Sequence, residues 1–144
     1  MKNTQVKQTR IISMVVAVMM LLASLAMLSG CGKAKTLEDY VNAEKDAKSQ
    51  LEQLEKSISN STMDVNLEIK ENTMTMTLKI KEKLSKDMVA TYKKTFEDSF
   101  AKSDSNPISS MVQQLQKESG IKDASMKVLV LNGDDSEIFS HEYK

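Results

Sequence analysis

The strongest constraint on the fold is a pair of neighbouring segments, 63–70 and 74–81, in which apolar and polar residues alternate one by one. Successive side chains of a β-strand point to opposite faces, so each segment predicts a strand with one buried face. The tripeptide 71–73 that separates them predicts a β-hairpin. The apolar positions are Met63, Val65, Leu67 and Ile69 in the first segment, and Met74, Met76, Leu78 and Ile80 in the second.

A second hairpin is predicted near the end of the chain. Met126–Leu131 is an apolar run with one lysine, and Glu137–Tyr143 is predicted as the last strand. Between them lies Asn132-Gly133-Asp134-Asp135, a strong turn signal.

Three helical segments complete the pattern. An amphipathic helix is predicted over about 37–58, with Thr36 as its N-cap, and the sequence leaves open whether it packs on the sheet or projects as an arm. A second helix follows Ser85, and a third runs from Asn106-Pro107 to Gly120. The second helix carries one apolar stripe at a strict spacing of four, namely Met88, Tyr92, Phe96 and Phe100. The predicted class is α+β: an N-terminal helix and two hairpins forming a mostly antiparallel four-stranded sheet, with the helices between the hairpins packed on one face.

The N-terminus predicts export. Residues 1–10 are polar and basic, Ile11–Leu28 is almost uninterruptedly apolar, and small residues follow. This order is typical of a secretory signal peptide. The length of the apolar run alone does not exclude a permanent transmembrane helix.

The tetrapeptide Leu28-Ser29-Gly30-Cys31 resembles the lipobox of bacterial lipoproteins, and it contains the only cysteine of the chain. The resemblance implies cleavage between Gly30 and Cys31 and a diacylglyceryl (palmitate-type) thioether on Cys31. It divides the chain into a signal peptide (1–30), a lipidated cysteine with a short tether (31–35) and a single α+β domain (36–144). The implied location is the extracytoplasmic face of the cell membrane, with lipid as the anchor.

A wider resemblance is carried by Thr36-Leu37-Glu38-Asp39-Tyr40-Val41 directly after the lipobox, and by the segment Leu-Asn-Gly-Asp-Asp-Ser-Glu-Ile-Phe-Ser at 131–140. With the alternating hairpin between them, these motifs resemble a family of small, uncharacterised lipoproteins from Gram-positive bacteria. The resemblance implies a domain of unknown function and no established activity.

Charge and cysteine content narrow the partners. After residue 30 the chain carries a small excess of acidic residues, so no electrostatic footprint for nucleic acid is present. A single cysteine permits neither an internal disulfide nor a thiolate metal cluster. The partners predicted are membrane lipid, through acylated Cys31, and an unknown envelope protein or small ligand, with no nucleic acid.

Candidate metal and cofactor sites have simpler structural interpretations, so the prediction names no metal and no cofactor. Met63, Met74 and Met76 carry thioethers that suit Cu(I), but they continue an apolar stripe and fit a core poor in aromatic residues. The oxygen ligands of 132–135 suit Ca²⁺, but their spacing is that of a hairpin turn. His141, the only histidine, is expected to be exposed on an edge strand.

No catalytic residue is predicted, since the chain has no nucleophile elbow and no glycine-rich phosphate loop. The leading hypothesis is a non-enzymatic binding or interaction module at the cell envelope. One alternative is an envelope hydrolase of unfamiliar type, using carboxylates or His141. Its candidate groups are Asp134, Asp135, Glu137 and His141, while the pair Glu38-Asp39 is expected to be solvated or capping. Another alternative is a modulator of a membrane-proximal protease or folding factor, which pairs an extended peptide with the open edge of the last strand.

Overall fold

The computed structural model describes residues 35–43, 45–59, 61–101 and 107–144. The predicted signal peptide and the lipobox, including Gly30 and Cys31, lie outside these ranges. The described elements are, in chain order, α1 (Leu37–Ala43), α2 (Lys45–Ile58), β1 (Met63–Lys70), β2 (Thr73–Ile80), α3 (Lys86–Phe96), a π-helical turn (Glu97–Ala101), α4 (Pro107–Ser119), β3 (Ser125–Leu131) and β4 (Glu137–Tyr143). The predicted α+β class and both hairpins are confirmed.

The four strands form one sheet in the order β1-β2-β3-β4. Both hairpins are antiparallel, whereas the central strands β2 and β3 run parallel, with Thr73 opposite Ser125 and Met76 opposite Val128. Parallel strands need a long crossover, and α3, the π turn and α4 provide it. The sheet is therefore mixed but mostly antiparallel, as predicted.

One face of the sheet forms the core, and alternation decides which residues lie on it. The helices add Leu37, Tyr92, Phe96 and Val112 to the same apolar cluster. On the opposite face, Thr75, Thr77 and Lys127 are half-buried and Glu142 is exposed. The core face consists of Met63, Val65, Met74, Met76, Leu78, Ile80, Met126, Val128 and Val130, all of which are buried.

Helices α1 and α2 lie along strand β1, which answers the question of whether this segment packs or projects. The Thr36 hydroxyl caps α1 by accepting a hydrogen bond from the Asp39 N–H at 3.1 Å. The Ser59 hydroxyl, just after α2, accepts the Val65 N–H at 3.0 Å, and the Glu55 carboxylate accepts the Leu67 N–H. The outer edge of β1 is thus occupied by side chains of the same chain.

Helix α3 begins as predicted, with the Ser85 hydroxyl accepting the Met88 N–H at 3.4 Å. Its strict spacing of four exceeds the 3.6 residues of an α-helical turn, so a straight α-helix would carry the apolar stripe away from the core. The wider π turn takes up the excess and returns Phe100 beside Phe96, with ring centroids 6.0 Å apart. Phe96 also stacks on Phe139 of β4 at 5.7 Å.

Candidate functional site

A surface groove of about 360 Å³ lies between α3 with its π turn and strand β4. We call it the β4 groove. Residues Lys93, Glu97 and Ala101 form its helical side, and Glu137, Ile138, Phe139, Ser140 and His141 form its strand side. The π turn fixes the helical side of the groove against β4, because the Tyr143 hydroxyl at the end of β4 donates to the buried Phe100 carbonyl at 2.9 Å. π turns inside α-helices are frequent at functional sites.

Strand β4 is an edge of the sheet, and backbone alternation shows which of its groups face outward. The Ser125 N–H donates to the Asn72 carbonyl at 2.8 Å, so Ser125 faces β2 and the next residue, Met126, faces β4. In an antiparallel pair, directly opposed residues that face each other exchange both backbone bonds. The residues of β4 opposite Met126, Val128 and Val130 are Tyr143, His141 and Phe139.

The N–H and C=O groups of Ser140 and Glu142 therefore point away from the sheet. Among the described residues, none bonds to these outward groups. Towards the start of the strand, an irregularity at Val130/Leu131 leaves Ile138 as an extra residue and ends the regular edge. The regular open edge is short and is centred on His141.

His141 lies on the groove side of β4, in a row of rings. Its imidazole lies 6.4 Å from the Phe139 ring and 4.6 Å edge-on from the Tyr143 ring. The prediction of an edge-strand position is correct, but the expectation that His141 is exposed is wrong, because the side chain lies half-buried between the two rings.

The turn at 132–135 has a structural role. Asn132 is 3% exposed and bonds to Leu84, while the Asp134 carboxylate accepts the Ser136 N–H at 3.2 Å and approaches the Lys83 ammonium at 3.3 Å. Bonds from the Ser136 hydroxyl, the Ser136 N–H and Lys83, in that order, lower the pKa of Asp134 to about 2. Asp135 pairs with Lys79 at 2.6 Å. Neither aspartate lines the β4 groove, so of the four groups named for a hydrolase the structure brings together only Glu137 and His141.

A second groove, of about 350 Å³, lies between α1–α2 and β1. Leu51, Leu67 and Ile69 are among its apolar lining residues, and its rim carries four glutamates and one lysine. Two of the four glutamates already bond to backbone: Glu55 to Leu67, and Glu38, whose carboxylate accepts the Glu71 N–H at 2.9 Å. These two carboxylates hold the helices on the edge of β1, which weakens this groove as a candidate for binding.

The remaining candidates fall into the core or outside the described ranges. Met63, Met74 and Met76 are all buried in the hydrophobic core, which agrees with the packing interpretation. Within the part of the chain that the structure describes, no three histidine, cysteine, aspartate or glutamate side chains gather closely enough to hold a metal ion. None of the helices in these ranges combines the length and the apolar character that a membrane crossing requires.

Comparison with known families places almost the whole described domain in one of them. Residues 37–143 match a domain of unknown function, DUF4854. The chain belongs to the DUF4854 family. The comparison with curated proteins found no match, and neither did the comparison with solved structures.

Membership of the DUF4854 family confirms the coarser part of the resemblance, a domain whose role is not established. The lipoprotein and Gram-positive parts of that resemblance stay predictions. Lys93, Glu97 and the outward backbone of Ser140 and Glu142 were not predicted as site residues. The one sequence signal for the groove is the strict spacing of four that requires the π turn, since that turn positions Glu97 and Ala101.

Proposed function

We propose that this DUF4854 protein is a lipid-anchored, non-enzymatic binding module on the extracytoplasmic face of the cell membrane, and that the β4 groove is its binding surface. The observation that carries the binding role is the open backbone edge at Ser140 and Glu142, which lies directly beside the groove. An exposed edge is a template for a further strand, and main-chain hydrogen bonds then supply the affinity.

The contrast between the two edges supports this surface. At β1, Ser59 and Glu55 occupy the outward N–H groups of Val65 and Leu67. At β4 the corresponding groups of Ser140 lack such a partner among the described residues. Proteins commonly cover an edge that has no binding role, so the uncovered edge is the better candidate for a function.

The anchor is supported by the lipobox-like Leu28-Ser29-Gly30-Cys31 after an apolar run. Each buried methylene of an acyl chain contributes about 0.8 kcal/mol, and two or more chains hold a protein stably. Metabolic labelling with a palmitate analogue, followed by intact-mass analysis, tests the anchor. Wild-type protein should carry lipid and lack residues 1–30, whereas Cys31→Ser should accumulate as unlipidated precursor. Wild-type protein with a free thiol would contradict the anchor.

Hydrogen exchange at single amides tests the binding surface. The full chain is compared in native membranes and after purification at high dilution. The outward N–H groups of Ser140 and Glu142 should exchange quickly in the purified protein and slowly in membranes, where a partner is present. The inward N–H of His141 and the capped N–H of Leu67 serve as internal controls and should be slow in both samples. Equally fast exchange of Ser140 in both would overturn the proposed surface.

The hydrolase alternative draws on one observation, the shared location of Glu137 and His141 in the groove. Hydrolysis of envelope material that is lost in His141→Gln but retained in Ser140→Pro would favour it over binding.

A further inference from the structure

We infer that the occupant of the β4 edge is a second copy of this chain, paired antiparallel about a two-fold axis through His141. The inference rests on the proposed function, because it names the partner of the proposed surface. It follows from the number of open edges, the positions of the outward backbone groups and the charges in the groove.

The outward groups determine the register. Within the described strand β4, only Ser140 and Glu142 present regular outward backbone groups, because the bulge at Ile138 ends the edge on one side and the strand ends at Tyr143 on the other. A two-fold antiparallel pairing that uses both residues of both chains must place Ser140 opposite the partner's Glu142. Each such pair exchanges two backbone hydrogen bonds, and the axis then passes through His141.

Side chains on the groove side agree with this register. Phe139 comes opposite the partner's Tyr143, and His141 comes opposite the partner's His141. Opposed residues that do not share backbone bonds approach to about 4.5 Å between Cα atoms, at which distance aromatic pairs stabilise a sheet. The ring row Phe139–His141–Tyr143 would thus continue across the axis as a second row.

The charges on the helical side of the groove are self-complementary. Lys93 and Glu97 lie one helical turn apart and both line the groove. A two-fold axis reverses the direction of α3, so the Lys93 end of one copy faces the Glu97 end of the other. A groove that carries both signs favours its own inverted copy over a peptide of a single charge sign.

The two edges of the sheet also determine where assembly stops. Since Ser59 and Glu55 occupy the outward N–H groups of β1, the sheet that the structure describes has one open edge. Pairing of one edge per chain gives an isologous interface and a closed dimer with an eight-stranded sheet, rather than a fibre.

Disulfide trapping in native membranes tests the inference. Full-length chains carrying Ser140→Cys and Glu142→Cys, with distinguishable tags, are expressed together and oxidised. Opposed residues that share backbone bonds lie about 5.5 Å apart between Cα atoms, within the range that a disulfide spans. We expect a reducible mixed dimer. In the matched control, Ser110→Cys, which is exposed on α4, replaces Ser140→Cys and should form no mixed dimer. Wild-type chains oxidised in the same way show how much dimer forms through Cys31 alone.

Sedimentation of the purified full chain in detergent provides a second measurement. At protein concentrations well above the high dilution used for hydrogen exchange, wild-type protein should have the mass of a dimer. Ser140→Pro, which lacks the outward N–H, should remain folded and have the mass of a monomer.

The outcomes separate the inference from the proposed function. A mixed dimer and a monomeric Ser140→Pro variant support the inference. A Ser140→Cys adduct with a different protein, with no mixed dimer, overturns the inference and leaves the proposed surface standing. Absence of any adduct, together with fast exchange of Ser140 in membranes, overturns both.

Discussion

The Asn132 side chain holds the Leu84 backbone by both of its polar groups. Its Oδ1 accepts the Leu84 N–H at 2.8 Å, and its Nδ2 donates to the Leu84 carbonyl at 3.3 Å. The next residue, Gly133, lies close to the backbone of Lys83, which precedes Leu84. A Cβ at position 133 would come within 2.7 Å of the backbone nitrogen of Lys83. Asn132-Gly133 therefore docks the β3–β4 turn on the loop between β2 and α3.

Replacing Asn132 by alanine tests this contact. The substitution leaves the buried N–H and C=O of Leu84 without partners, and each unsatisfied group costs about 1–3 kcal/mol. We expect Asn132→Ala to lower the free energy of unfolding by about 2–4 kcal/mol, measured by urea denaturation. Asp135→Asn, in the same turn, is the control, because asparagine also tolerates the positive φ of 64° at this position. It removes an ion pair with Lys79 and should cost about 0–1 kcal/mol. Equal stability of the two variants would show that Asn132 does not dock the turn.

Local pattern predicted the elements well because their signals are local. Strict alternation identified β1 and β2, the hydroxyls of Thr36 and Ser85 identified two helix starts, and Gly120, at φ 74°, follows the end of α4. Each of these signals depends on a few neighbouring residues, and the structure confirms them. The parallel pairing of β2 with β3 depends on how a long crossover returns the chain, which no local pattern encodes.

The β4 groove was predicted only in part, for a related reason. The open edge of the last strand was predicted, and so was the position of His141 on it. Lys93 and Glu97 join the site because a π turn redirects the end of α3, and the outward direction of Ser140 depends on the register of three strands. Such features arise from long-range packing, so they become visible only in the folded chain.

The lowered pKa of Asp134 predicts acid sensitivity. Its folded pKa of about 2 lies below the ordinary 3.8, so its contribution to stability is complete above the ordinary value and is lost as the pH falls towards 2. Between about pH 5 and pH 2, wild-type protein should lose more unfolding free energy than Asp134→Asn. An NMR titration should show that Ser136→Ala, which removes the first donor, moves the pKa of Asp134 upward. An unchanged value would contradict the assignment of the Ser136 hydroxyl as the main cause.

Removing the Glu55 carboxylate tests what happens when the outward N–H of Leu67 on β1 loses its partner. Glu55→Ala deprives the Leu67 N–H of its acceptor and should lower the unfolding free energy by about 1 kcal/mol. Glu55→Gln keeps an oxygen acceptor and should lose less, and Glu52→Ala, exposed on the same helix, should be near neutral. If each chain then has two open edges, light scattering should detect species larger than a dimer in Glu55→Ala. A dimer of unchanged size would contradict the explanation of why assembly stops at two.

Proline substitutions test the direction of the β4 backbone, on which the binding surface depends. Proline has no N–H and is tolerated in a sheet where the N–H faces solvent at an edge. Ser140→Pro should therefore stay within about 1 kcal/mol of Ser140→Ala, since its N–H faces outward and the preceding Phe139 is already extended. His141→Pro removes a bond to β3 and leaves a carbonyl of that strand unpaired, so it should fall at least about 1–3 kcal/mol below His141→Ala. Thermal and urea unfolding of the four variants measure the difference in stability between the proline and the alanine variant at each position. Comparison with alanine removes the effect of losing the side chain. If Ser140→Pro were as damaging as His141→Pro, the N–H of Ser140 would face β3, and the backbone pairing of Ser140 with the partner's Glu142 would not be possible.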